Sequence, residues 1–128
     1  MGILLGNKAC AGFPSPADDL GAQRIDLTEL LMTHPQATYF LRANGPSMTE
    51  AGILHNDIMV INRALQAKHN RVVVAVVDGC LTVKYWHDKD GCVKLKSSNP
   101  AYADIVPKEG QTFFSWGVVK ASITLFPD

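Results

Sequence analysis

Arg71-Val72-Val73-Val74-Ala75-Val76-Val77-Asp78-Gly79-Cys80-Leu81-Thr82-Val83-Lys84-Tyr85-Trp86 is the stretch whose reading decides the fold. Its first half is a β-branched run of the kind that packs well on a pleated surface. Asp78-Gly79 then supplies the residue pair favoured in a two-residue hairpin turn, where both central positions need positive φ. Leu81 to Trp86 should therefore return antiparallel to Arg71 to Val77. Alternation along the returning strand places Leu81, Val83 and Tyr85 on one side and Thr82, Lys84 and Trp86 on the other.

Outward from this hairpin the β signals continue. Asp88-Lys89-Asp90-Gly91 marks a turn before a strand at Cys92 to Lys96, and Asn99-Pro100 breaks the chain before an irregular stretch. A last strand lies within Thr112 to Phe126. On the other side, Asn56-Asp57 leads into a strand at Ile58 to Asn62, and Thr38 to Ala43 forms another. Ahead of these, Ile25, Leu27, Leu30 and Leu31 can share one helical face. Asp26 with Glu29 resembles a capping pair, and Pro35 closes the run. Residues 1–22 hold four Gly, Pro14 and Pro16 and show no sustained apolar period. The expected architecture is mainly β: a single compact domain of short twisted strands over residues 23–128, preceded by one flexible N-terminal arm, residues 1–22.

The 128 residues suffice for one domain, and 47% hydrophobic with 19% charged residues is the composition of a packed globular chain. Twelve Lys+Arg balance twelve Asp+Glu. No global field draws the chain to nucleic acid or an anionic membrane, which leaves only a local patch for such contacts. No apolar stretch approaches the ~20 residues of a spanning helix, and there is no long apolar leader. Three cysteines, Cys10, Cys80 and Cys92, cannot all pair and form no C-x-x-C unit. A soluble, cytoplasmic protein in a reducing compartment is expected.

Asn44-Gly45-Pro46-Ser47-Met48 directly follows a predicted strand, so Ser47 comes out at an exposed corner beside free backbone N–H groups. A serine nucleophile and its oxyanion site need that placement, although a serine in an ordinary turn reads the same way. His34, His55, His69 and His87 all fall in turns or at strand ends among polar neighbours. Lys84 is the other candidate base. An unperturbed lysine with a pKa near 10.4 is neutral in only roughly 0.04% of molecules at pH 7, so this role requires burial. A solvent-facing strand lysine is the alternative.

Several segments carry a resemblance that sharpens these alternatives: Ala9-Cys10-Ala11-Gly12-Phe13-Pro14-Ser15-Pro16-Ala17, Gln23-Arg24-Ile25-Asp26-Leu27, His34-Pro35, Ala37-Thr38-Tyr39-Phe40, Gly45-Pro46-Ser47-Met48, Ala75-Val76-Val77-Asp78-Gly79 and Thr82-Val83-Lys84. Together they resemble UmuD/MucA-type members of the LexA-like self-cleaving serine peptidases, over nearly the whole chain. The resemblance implies a LexA-like peptidase fold with Ser47 as nucleophile and Lys84, 37 residues on, as general base. It implies self-cleavage between Ala11 and Gly12, just before Phe13-Pro14. Cys10-Ala11 is a second choice, because UmuD has Cys-Gly where this chain has Cys10-Ala11-Gly12. Small side chains suit a loop that must enter a narrow cleft, and Gly tolerates the bent backbone.

The implied purpose is an SOS-response one. Cleavage is promoted by the RecA–single-stranded DNA filament, and the shortened homodimer joins a UmuC-type Y-family DNA polymerase for translesion synthesis. No helix-turn-helix module fits ahead of Gly12, so direct sequence-specific nucleic-acid binding is not expected. Neither a cofactor nor a membrane partner is expected. Cleavage in cis or in trans stays open, as does the dimer surface. Two rival readings are a catalytically idle polymerase-accessory subunit of the same fold, and a metal site built from Cys80, His87 and Cys92, whose spacing lacks the tight cysteine pairs of zinc modules.

Overall fold

The computed structural model describes residues 2–5, 23–108 and 112–128. The chain divides into two units, Met1–Thr33 and His34–Asp128. In the first, strand β1 (Gly2–Leu5) pairs antiparallel with β2 (Gln23–Asp26), Ile3 opposite Ile25. Helix α1 (Leu27–Leu31) follows directly. Asp26 caps it as expected: its backbone is extended, and its carboxylate accepts from the N–H groups of Thr28 at 2.9 Å and Glu29 at 3.4 Å. The helix begins later than its apolar spacing suggests, because residues 23–26 are taken up by pairing with β1. β1 itself lies in the segment read as an arm. Three apolar residues, Ile3-Leu4-Leu5, are too few to show a period, and their partner strand is distant in sequence.

The second unit is a six-stranded sheet in the order β3-β4-β8-β5-β6-β7, antiparallel at every pairing. Its strands are β3 (Thr38–Arg42), β4 (Ile58–Asn62), β5 (Arg71–Val77), β6 (Cys80–Lys89), β7 (Cys92–Lys96) and β8 (Phe113–Ile123). The mainly β class and the hairpin at its centre are as the sequence reads. Asp78 and Gly79 take φ of 49° and 82°, and Asp90 and Gly91 take 55° and 80°, which lets both hairpins close tightly.

The last strand of the chain becomes a central one. β8 inserts between β4 and β5 and shifts register against both, at Val60/Ile61 and at Val74/Ala75. Such bulges bend and twist a sheet. Gly117 sits beside this irregularity, and a Cβ there would lie 2.6 Å from Ile61 Cγ2. Alternation along β5 feeds two apolar clusters. Val74 joins Met48, Ile53, Met59 and Ile61, while Val73 and Ala75 join Leu95 and Val118. Each fully buried Val or Ile contributes about 1.5–3 kcal/mol. Among the described residues no helix is long and apolar enough to cross a membrane.

Candidate active site

Residues 43–48 leave the end of β3 as a turn that is braced along its length. Ala43 N–H donates to the Asp57 carbonyl and Asn56 N–H to the Ala43 carbonyl, both at 2.8 Å. Gly45, at φ 92°, lets the chain reverse, and its N–H donates to His55 Nδ1 at 2.9 Å. Met48 is buried in the core, so it anchors the far side of the turn. A 3₁₀ turn, Thr49–Ala51, follows and ends at Gly52. Ser47 stands between Pro46 and this anchor.

The Ser47 carbonyl is held from the segment after β7. It accepts from Asn99 N–H at 3.2 Å, from Ser98 Oγ at 3.3 Å and from Ser97 Oγ. Ser98 Oγ also accepts from Ala51 N–H at 3.2 Å. By contrast, the backbone N–H groups of Ser47 and Met48 meet no acceptor among the described residues. The Ser47 turn is thus gripped by its carbonyls while the N–H groups of Ser47 and Met48 stay available.

Lys84 comes from the middle of β6, opposite Val73 on β5. It is 7% exposed, and its Nζ lies 2.9 Å from Ser47 Oγ and 3.1 Å from the Val83 carbonyl. Among the described residues the one ion pair is Lys94–Asp104, so no carboxylate compensates the buried ammonium. Burial therefore pushes the Lys84 pKa below the ordinary lysine value. In the charged form Nζ donates to Ser47 Oγ. In the neutral form the same contact can reverse, with the Ser47 O–H donating to the amine lone pair. Residues 37 apart in sequence are brought into direct contact by the β5–β6 hairpin on one side and the β3 turn on the other.

Ser47 opens onto a cleft of about 310 Å³. Leu41, Ala43, Met48, Ile53, Met59 and Val74 form its apolar lining, and Leu81-Thr82-Val83 of β6 forms another wall. It can accept a small apolar side chain in an extended segment. Ala11, Gly12 and Cys10 lie outside the described residues.

The imidazoles have roles that the sequence reading did not assign. His34 Nδ1 bonds the buried Asn62 side chain at 2.9 Å. His55 braces Gly45, and His69 Nδ1 accepts from Asp88 N–H at 3.0 Å while stacking edge-on with His87. Asp57, a turn residue by its sequence context, also takes a structural role that the sequence does not announce. Its buried carboxylate accepts from Leu54 N–H and Ser122 Oγ at 2.8 Å and from Thr124 Oγ1 at 2.5 Å, which ties the hairpin between β3 and β4 to the end of β8. Only Asn56-Asp57 before a strand hinted at it. Among the described residues no three His, Cys, Asp or Glu side chains converge as metal ligands would. Cys80 starts β6 and Cys92 pairs with its last residue, Lys89, so the ten-residue strand separates them by roughly 30 Å.

A buried lysine in contact with a turn-borne serine, beside an apolar cleft, sets an amine within proton-transfer reach of a hydroxyl. The chain belongs to the Peptidase S24-like family, whose model matches residues 3–120. It is 44% identical over 81 residues to the ImpA protein of Escherichia coli, covering 63% of this chain and 56% of that protein. The chain thus spans just over half the length of the ImpA proteins it matches. It is 40% identical over 120 residues to the SamA protein of Salmonella typhimurium, covering 94% of this chain and 83% of that one. With the MucA protein of Salmonella typhimurium it shares 35% identity over 122 residues, 94% and 82% of the two chains. The resemblance to MucA-type proteins is borne out.

Proposed function

We propose that the chain is a self-cleaving serine peptidase of the SOS response, with Ser47 as nucleophile and Lys84 as general base. The observation that carries this reading is the 2.9 Å contact between Ser47 Oγ and the buried, uncompensated Lys84 amine. Neutral Lys84 takes the Ser47 proton as Oγ attacks the Ala11 carbonyl. The N–H groups of Ser47 and Met48 are free to donate to the oxyanion. Collapse of the tetrahedral intermediate breaks the Ala11–Gly12 bond, and Lys84 returns its proton to the departing Gly12 amine. An acyl-enzyme on Ser47 remains, and water, deprotonated by Lys84, hydrolyses it. Each chain is processed once, into residues 1–11 and 12–128.

The family resemblance supplies the context of this reading. The RecA–single-stranded DNA filament promotes the cut, and the shortened chain acts as a homodimer that joins a UmuC-type Y-family polymerase in translesion synthesis. The MucA and SamA relatives support that assignment. The catalytically idle accessory subunit is the competing reading, and direct contact of Ser47 with a lysine whose pKa burial lowers favours the enzyme over it.

Intact-mass measurement after incubation with RecA, an ATP analogue and single-stranded DNA separates the two. The 12–128 fragment should appear from the wild-type chain and not from Ser47→Ala, whose fold is unchanged. Failure of the wild type to be cut while a MucA-type control is cut would establish the idle subunit instead. A mass corresponding to residues 11–128 would move the cut to Cys10-Ala11.

A further inference from the structure

The β6–β7 hairpin carries a group of charged and aromatic side chains for which the Ser47–Lys84 chemistry has no use. Tyr85 pairs with Lys96, His87 with Lys94 and Lys89 with Cys92. Cross-strand partners share a face, and alternate residues along a strand point the same way. Tyr85, His87 and Lys89 of β6 therefore lie on one face with Lys94 and Lys96 of β7. His69, from the turn before β5, joins them, its ring centroid 4.8 Å from that of His87. Two hollows meet at His87. One, of about 510 Å³, is bounded by His69, Tyr85 and Lys96, and the other, of about 300 Å³, by Lys89 and Lys94.

The chemistry of these groups selects an acceptor. Asp88 N–H donates to His69 Nδ1, so the neutral ring keeps its proton on Nε2. That nitrogen offers an N–H to an anion and no lone pair to a metal. Besides burial, the groups that disfavour a charge on His87 are His69, Lys96, Lys94 and Lys89, all cationic or able to become so. Of the acids nearby, Asp104 is engaged by Lys94 at 3.0 Å. Asp88 alternates to the other face of β6, and Asp90 lies in the hairpin turn. A chain of zero net charge has thus gathered cations on one face. With a screening length of about 8 Å at physiological salt, such a patch acts independently of net charge.

We propose that this face binds the phosphodiester backbone of single-stranded nucleic acid without preference for base sequence. Among the described residues, Lys89 of β6 and Lys96 of β7 are the unpaired cations of this face, with His87 and the Asp104-bound Lys94 between them, so donors follow a line along the hairpin at about 6.8 Å per two residues. Such a line matches a linear polyanion, whereas a single phosphate needs a cup of converging donors. Tyr85 and the two imidazoles add ring surfaces on which bases stack, the usual complement of a backbone-tracking groove. An acidic peptide would satisfy the lysines and leave those rings unused. Binding strengthens as pH falls, because protonation of His87, disfavoured in the free protein by burial and the neighbouring cations, adds charge facing the ligand.

The test uses full-length Ser47→Ala protein, which stays uncut, and the fluorescence anisotropy of a labelled 20-nucleotide oligothymidylate. Two to three phosphate contacts give a log affinity against log salt slope of roughly −1.4 to −2. Binding should be tighter at pH 5 than at pH 8, and His87→Gln should flatten that difference. Lys89→Glu/Lys96→Glu should weaken binding at least tenfold with an unchanged melting temperature, and Lys96→Gln alone about threefold should the double variant fold poorly. Inorganic phosphate at millimolar concentration should not compete. Unaltered affinity in the lysine variants would overturn the proposal. So would displacement by an oligoglutamate of equal charge at equal concentration, which would assign the face to an acidic protein partner.

Discussion

Replacing Lys84 by Met tests the buried base through stability as well as through activity. Met is unbranched and close to Lys in length, so it fills the same space without the charge. Taking an ammonium out of water costs several kcal/mol. Lys84 recovers part of that through two acceptors, Ser47 Oγ and the Val83 carbonyl, worth about 1.5–3 kcal/mol each with a charged donor. Its third N–H has no partner among the described residues, and no carboxylate neutralises it. The variant leaves Ser47 Oγ at the edge of an open cleft, where water can replace the lost partner.

Lys84→Met should therefore be about 1–3 kcal/mol more stable than wild type at pH 7, a rise of roughly 3–6 °C in Tm per kcal/mol. The pH dependence fixes the cause. The folded-state pKa of Lys84 lies below the unfolded value of about 10.4, so between the two the unfolded chain holds the extra proton. Wild-type stability then rises with pH across that window. The advantage of the Met variant should be full below the folded pKa and shrink as pH approaches 10. Urea melts of both proteins at pH 7 and pH 10, with intact mass checked before and after, give the two differences. Processing should be abolished in the variant. A Met variant less stable than wild type at pH 7, an advantage that grows with pH, or continued production of the 12–128 fragment would refute the assignment of Lys84.

His55 should act as a positioning residue for the nucleophile turn through Gly45 N–H. His55→Ala should slow processing about 2- to 12-fold, the equivalent of one hydrogen bond of about 0.5–1.5 kcal/mol. His55→Asn, whose Oδ1 occupies the place of Nδ1, should restore the rate, and His55→Gln, one methylene longer, should not; equal rates in all three, followed by mass spectrometry, would remove the role. Asp57 is held below its ordinary carboxyl value chiefly by the Thr124 hydroxyl, then by Leu54 N–H and Ser122. Its contribution to stability is complete above about pH 4 and is lost as pH falls through the folded-state pKa. Thermal melts should show Asp57→Asn less stable at neutral pH and less acid-sensitive below pH 4. Gly117→Ala should destabilise by about 1–3 kcal/mol through overpacking against Ile61, and combining it with Ile61→Ala should cost less than the sum of the two in urea melts.

Local chemistry made much of the sheet legible. The hairpin at Asp78-Gly79 is announced by residues that tolerate positive φ, and β3, β4 and β7 fall within a residue of where β-branched runs and turn signals put them. The α1 cap at Asp26 was readable for the same reason, since capping is settled within three residues. β1 was not, because a four-residue strand acquires its identity from a partner some twenty positions away.

Sequence alone determined the mainly β class, the turns and, with the family resemblance, the nomination of Ser47 and Lys84. Spacing along a chain says nothing about burial, and burial is what lowers the pKa of a strand lysine. Only the tertiary structure put β8 at the centre of the sheet, closed the 97–99 segment over the Ser47 carbonyl and left Lys84 7% exposed with no acid beside it. Those outcomes depend on groups far apart in sequence sharing one low-dielectric space. The same holds for His55 and Asp57, ordinary turn residues until folding gives one the Gly45 N–H and the other the hydroxyls of β8 and the residue that follows it.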